Sequence, residues 1–169
     1  GKKKKAQKAQ KEALEALEEL EQQLQSMQQS CGEEKPIEDM ETLRKILENL
    51  VSFSFDQEKL MYRAKETPRN SAEFIKIIQQ QNKLADDSQI IEDSLLALSK
   101  RVIEIQATIN KEIAAINHNM NRATKEFEER KVKKAAERQQ FVMTSVNNLA
   151  LLLSEILEQM QKESSSKCN

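Results

Sequence analysis

The stretch ALEALEELEQQLQSM, residues 13–27, decides the fold class. Ala13, Leu17, Leu20, Leu24 and Met27 step by four and three, the a/d seam of a coiled coil, and Glu and Gln fill the flanks. No strand pattern fits it, because a strand would alternate every second residue. Extending the pattern gives a first helix over about residues 3–29. A lone helix with such a seam wants a partner along its length. Ser30, Cys31 and Gly32 stop it.

Outward from this segment the same grammar continues. Pro36 suits the first turn of the next helix, and Glu38 and Asp39 favour the positive end of its dipole. Helix two carries Met40, Leu43, Leu47, Leu50, Leu60, Met61 and Ala64, and it ends near Glu66 because Pro68 pushes Thr67 out of the helical region. Within it, Ser54 with Gln57 reads as a capping box, which predicts a kink. Asn70 with Glu73 reads as the cap of helix three, over 71–100, followed by Phe74, Ile77, Ile78, Leu84, Ile91, Leu95 and Leu98.

From Arg69 onward there is neither Gly nor Pro. About a hundred residues in one helix would span roughly 150 Å, so the chain must reverse. A partner for helix two would end near residue 100, where Val102, Ile103 and Ile105 are weak helix formers, placing the turn between Ser99 and Thr108. Asp86-Asp87-Ser88 is the rival position. The last helix is expected over about 106–162, with one apolar stripe through Ile109, Ile113, Ile116, Met120 and Phe127 and another through Val142, Val146, Leu149, Leu153, Ile156 and Met160. Between them Glu126 to Arg138 is nearly all charge, which predicts a solvated middle and a far end that outreaches the bundle to pack on helix one or on another chain. Residues 163–169 read as a flexible tail. The expected architecture is all-α: an elongated antiparallel bundle or coiled coil of about four long helices in one module.

Composition supports that class and narrows the function. Only two glycines and two prolines occur, so the chain makes few turns. Its 27 basic and 28 acidic side chains are mixed and nearly cancel, so no broad single-sign field recruits nucleic acid. No stretch approaches the ~20 apolar residues of a membrane span. The opening Gly1 and lysines, without an initiator Met, read as an expression scar or the start of an excised segment. Cys31 and Cys168 belong to no CxxC or Cys/His cluster, read as free thiols, and fix no redox compartment.

The chemical motifs of helical enzymes do not appear. A di-iron bundle needs Glu-x-x-His on facing helices, but the one histidine, His118, is preceded at that spacing by Ala115. One imidazole does not build a zinc site, and His118 is the sole conventional base for a nucleophile. No Gly-rich phosphate loop or GxSxG occurs. The chain therefore reads as non-enzymatic, with no catalytic, cofactor-binding or metal-ligating residues. Lys2 to Lys5, with Lys8 and Lys11, read as a solvated flank, since no aromatic is interleaved and Glu12 onward reverses the sign. The six methionines fall at core spacing and read as filler.

Phe141 to Met160 is the most informative segment for function. Leu149-Ala150-Leu151-Leu152-Leu153 is apolar through more than a turn, so no single neighbour covers it. Two readings stay open: core against helix one, or a surface for an oligomer or another protein. The candidate interaction residues are Leu149, Leu152, Leu153 and Ile156, with Leu17, Leu20 and Leu24. The expected partner is protein, either a second copy in a homodimer or another chain, and membrane is reached only through regions outside these residues. The alternative is an amphipathic domain that binds lipid peripherally, with the lysine run as electrostatic aid.

The run Arg138-Gln139-Gln140-Phe141-Val142-Met143-Thr144-Ser145-Val146-Asn147-Asn148-Leu149-Ala150-Leu151-Leu152-Leu153-Ser154-Glu155 carries a resemblance, together with Ile91-Glu92-Asp93-Ser94-Leu95 and Phe55-Asp56-Gln57-Glu58. It resembles an uncharacterised family, a domain of unknown function, of large bacterial envelope proteins anchored by N-terminal transmembrane helices. The likeness spans most of residues 37–162. It implies a soluble, periplasmic segment of such a protein and supplies no catalytic residues.

Overall fold

The computed structural model describes residues 2–27, 34–102 and 105–167. They form α1 (Lys2–Met27), α2 (Glu34–Glu66), α3 (Ala72–Ser99), α4 (Gln106–Glu128) and α5 (Val132–Lys167), and no β-strand occurs among them. The helical class and the bundle agree with the periodicity. The number of long helices does not, because the last expected helix is two.

The break lies inside the charged stretch. Arg130 takes φ 57°, the left-handed conformation, without being glycine. Its N–H donates to the Phe127 carbonyl at 2.9 Å and the Lys131 N–H donates to the Glu126 carbonyl at 2.7 Å, the paired bonds of a Schellman stop. The chain then reverses at once into α5. The charged middle is thus a corner between two antiparallel helices. Val132, Ala135 and Ala136 on its far side are buried, so the stretch is not solvated throughout. The overhang disappears with the reversal: α5 runs back beside α2, and the two are similar in length, ~50 Å at 1.5 Å per residue.

Cross-helix hydrogen bonds set the topology. Gln57 with Gln81, Glu92 with Asn117, and Glu112 with Asn148 each join a helix to the next one returning. Helices α2 to α5 therefore form an up-down-up-down four-helix ring, with α5 packed extensively on both α4 and α2. Its core includes Met40, Leu43, Leu47 and Leu50 from α2, Phe74, Ile77 and Leu95 from α3, Ile109, Met120 and Phe127 from α4, and Leu149 and Leu153 from α5. Helix α1 lies outside the ring, antiparallel to α2, and rests on α2 and α5.

Several local expectations change. The cap of α3 is Ser71, whose Oγ accepts from the Phe74 N–H at 3.3 Å, rather than Asn70. Ser54 and Gln57 do not interrupt α2; both are buried, and they serve the interior instead. The turn between α3 and α4 falls within Ser99 to Thr108 as expected, and α3 passes unbroken through Asp86-Asp87-Ser88. Helix α5 continues through Lys167, so Ser164, Ser165 and Ser166 are helical where a loose tail was expected. Leu24's side chain, Cys31 and Cys168 lie outside the described residues.

Each end of the ring is fastened. At one end Phe74 and Phe127 meet edge to face with centroids 6.2 Å apart, and the Arg130 guanidinium stands 5.6 Å above the Phe74 ring while donating to the Arg69 carbonyl. At the other, Arg101 pairs with Asp39 at 2.5 Å, joining the α3–α4 turn to the start of α2.

Candidate functional site

Leaving aside Leu24, the candidate interaction residues gather where α1, α2 and α5 meet. At this junction Gln10 Nε2 donates to Ser54 Oγ at 2.8 Å, and Ser54 Oγ donates to Asn147 Oδ1 at 3.2 Å. All three are buried. The triad fixes the register of α1, which runs parallel to α5. Ala13, Leu17 and Leu20 of α1 share a core cluster with Leu149 and Leu153, and Leu152 and Ile156 pack half-buried against it.

The apolar run from Leu149 to Leu153 needs this many neighbours because it wraps more than one turn. Leu149, Ala150 and Leu153 are buried by the ring and α1, Leu152 is partly covered, and Leu151 stays 40% exposed. By length and composition α5 is apolar enough to cross a membrane, a stronger apolar character than residue counting suggested. Its apolar side is committed to the core, as expected of the central helix of a bundle.

Along α5 runs a second, polar stripe. Asn147, Ser154 and Gln161 recur at heptad spacing on α5 and are all buried. Ser154 Oγ and Gln161 Nε2 find no hydrogen-bond partner among the described residues. Sequence reading missed this stripe, although the seven-residue spacing of three polar residues is visible in it.

A third feature sits at the centre of the ring. Gln57, Gln81 and Gln139 are fully buried, one from each of α2, α3 and α5, beside Met120 of α4. Gln81 Oε1 accepts from Gln57 Nε2 at 3.1 Å and from Gln139 Nε2 at 3.0 Å, and Gln81 Nε2 donates to Met120 Sδ at 3.6 Å. This layer was also unforeseen. Glutamine is an ordinary surface residue of a helix, and only packing reveals which glutamines face inward.

What the interior can do chemically is limited by its groups. Most are amides and hydroxyls, which neither titrate near neutral pH nor act as strong nucleophiles, and the Glu112 and Glu126 carboxylates are buried beside them. The gap between α2, α3, α4 and α5, lined by Leu50, Phe53, Ser88, Glu92, Asn117 and Val146, amounts to about 10 Å³, room for one water. His118 is exposed on α4, and among the described residues no three His, Cys, Asp or Glu gather as a metal site would require. Glu112, buried, accepts from Asn148 Nδ2 at 3.3 Å.

The surface carries isolated apolar side chains: Leu14 (42% exposed), Ile75, Ile90, Phe141 and Leu151. Phe141 lies under the Arg138 guanidinium at 6.0 Å, and Ile75 and Ile90 are about four turns apart on α3. Leu14 and Leu151 differ from these. Each lies four residues beyond the Gln10 and Asn147 triad on parallel helices, so they stand at one level. No family model, no curated protein and no solved structure matches the chain.

Proposed function

We propose that the chain is a non-catalytic helical module, which acts by packing and by presenting helix surfaces to a protein partner within a larger bacterial envelope protein. The observation that carries the first part is the filled interior. The ring is closed by side chains from all four of its helices, and the gap lined by Leu50, Ser88, Asn117 and Val146 has room for about one water. A scaffold of this kind offers its outer faces to a partner. The resemblance of residues 138–155 to an uncharacterised envelope family supports the second part, and with it a periplasmic placement.

A second reading, a peripheral lipid binder, is favoured by one observation: α5 is apolar enough for a membrane, and α1 is what covers one side of it. Co-sedimentation with anionic vesicles at physiological salt separates the two. The module reading expects the protein to stay in the supernatant. Pelleting that releases α1, seen as faster amide exchange there, would replace it with the lipid reading. Stoichiometric metal found by elemental analysis would reopen an enzymatic role.

A further inference from the structure

We propose that a second copy of this chain docks antiparallel on the exposed flank of α1, forming a two-fold dimer. This rests on the reading of the chain as a protein-interaction module and names the surface and the partner.

The inner seam of α1, Gln10, Ala13, Leu17 and Leu20, is used up against α2 and α5. The exposed flank beside this seam, about 100° round the helix, has a heptad stripe of its own: Gln7, Lys11, Leu14, Glu18 and Glu21. Leu14, at the middle of the stripe, is a leucine 42% open to solvent, and Leu151 of α5 adds a second leucine, 40% exposed, at the same level.

Charge along α1 changes sign between Lys11 and Glu12, just before Leu14. Lys2, Lys3, Lys4, Lys5, Lys8 and Lys11 come first with no acid among them, and Glu12, Glu15, Glu18, Glu19 and Glu21 follow with no base among them. This order opposes the helix's own dipole, since the first turn holds no acid and the last turn no base. Among the described residues Lys8–Glu12 and Lys11–Glu15, both 3.5 Å and well exposed, bridge the divide. Among the described residues Glu18, Glu19 and Glu21 have no ion-pair partner.

An antiparallel second α1 answers each of these mismatches. A two-fold axis beside Leu14 sets Leu14 against its own copy, Lys11 opposite Glu18, and Lys8 opposite Glu19 and Glu21. A parallel pair would instead set lysines on lysines. The strip is narrow: a 26-residue helix is ~39 Å long, and at roughly 10 Å wide it covers about 400 Å² per partner, half of a standard interface. The dimer is therefore weak, concentration-dependent and sensitive to salt.

Sedimentation velocity on the full chain tests this, between about 10 μM and 1 mM protein and at about 0.05 M and 0.5 M salt. The wild type should dimerise at high concentration and low salt. Lys8→Glu/Lys11→Glu and Glu18→Lys/Glu21→Lys should each stay monomeric alone, yet form a heterodimer on mixing that is at least about tenfold tighter than either self-association. All the substituted side chains are exposed, and unchanged circular dichroism verifies the fold; Leu14→Asp, also exposed, should weaken dimerisation about tenfold. A wild type that remains monomeric throughout overturns the proposal, while leaving the non-catalytic module untouched. So does a mixture that fails to associate. Binding of the monomer to phosphatidylserine vesicles that Lys8→Glu/Lys11→Glu abolishes would give the face to lipid and overturn both.

Discussion

Arg130 is the residue on which the chain's largest departure from its apparent pattern turns. A side chain with a Cβ in the left-handed region costs about 1 kcal/mol or more, offset here by the guanidinium over Phe74 and on the Arg69 carbonyl. Two substitutions separate these terms. Arg130→Ala keeps the backbone penalty and loses the contacts, so it should destabilise by about 1 kcal/mol. Arg130→Gly loses the same contacts but removes the penalty, and should be more stable than the alanine variant by about 1 kcal/mol in urea unfolding. The reverse order would mean that residue 130 is not left-handed in solution.

Glu73, also at this end of the ring, shows what surface charge contributes. The Lys76 ammonium, through its hydrogen bond and charge, and then Arg63, hold its carboxyl below the ordinary glutamate range. Because the folded value lies below the unfolded one, the stabilisation is present above the unfolded value and lost as pH falls through the folded one. Glu73→Gln should therefore lower the urea midpoint slightly near neutral pH and not at all at about pH 3. An equal loss at both would mean that charge is not the cause.

At the scale of the element, α1 and α5 differ in how firmly they are held. Among the described residues helix α5 packs on α2, α4 and α1, whereas α1 packs mainly on α2 and α5, and the unpartnered Ser154 Oγ and Gln161 Nε2 lie buried on α5. Each buried group without a partner costs about 1–3 kcal/mol. Ser154→Ala should accordingly stabilise the protein, by about 1 kcal/mol, as read from its thermal midpoint. Amide exchange should open α1 at lower free energy than α2 to α5. Uniform protection over all five helices would refute that hierarchy.

Over the whole molecule, the glutamine layer ties three of the four ring helices to one level. Gln81→Met removes the acceptor for two buried amides and should cost about 2–5 kcal/mol. Replacing all three, Gln57→Leu/Gln81→Met/Gln139→Leu, should recover that loss or exceed the wild type, because the layer then holds no buried amide. A triple variant as damaged as the single one would show that cavity formation, not hydrogen bonding, governs the layer. As a hypothesis, the layer selects the register: a one-turn slip would bury three amides without partners. Doubled or broadened NMR resonances in a stable triple variant would bear this out, and a single sharp set would refute it.

Leu17, Leu20, Leu149 and Leu153 show how far composition and spacing reach. Their periods of three and four state that they lie on helices and face inward, since burial of a repeating apolar stripe needs only local geometry and the hydrophobic effect. Matching a partner to the length of helix two, together with the weak helix formers Val102, Ile103 and Ile105, placed the turn between Ser99 and Thr108 ahead of its rival at Asp86-Asp87-Ser88. Spacing did not reveal the corner at Arg130, because the stop there is a backbone conformation carried by an arginine and held by Phe74 and Arg69 from a distant hairpin. Nor did it tell Gln57, Gln81 and Gln139 from the glutamines that face water. Helix and stripe follow from neighbours along the chain, whereas corner, register and polar layer exist only once groups far apart in sequence have met.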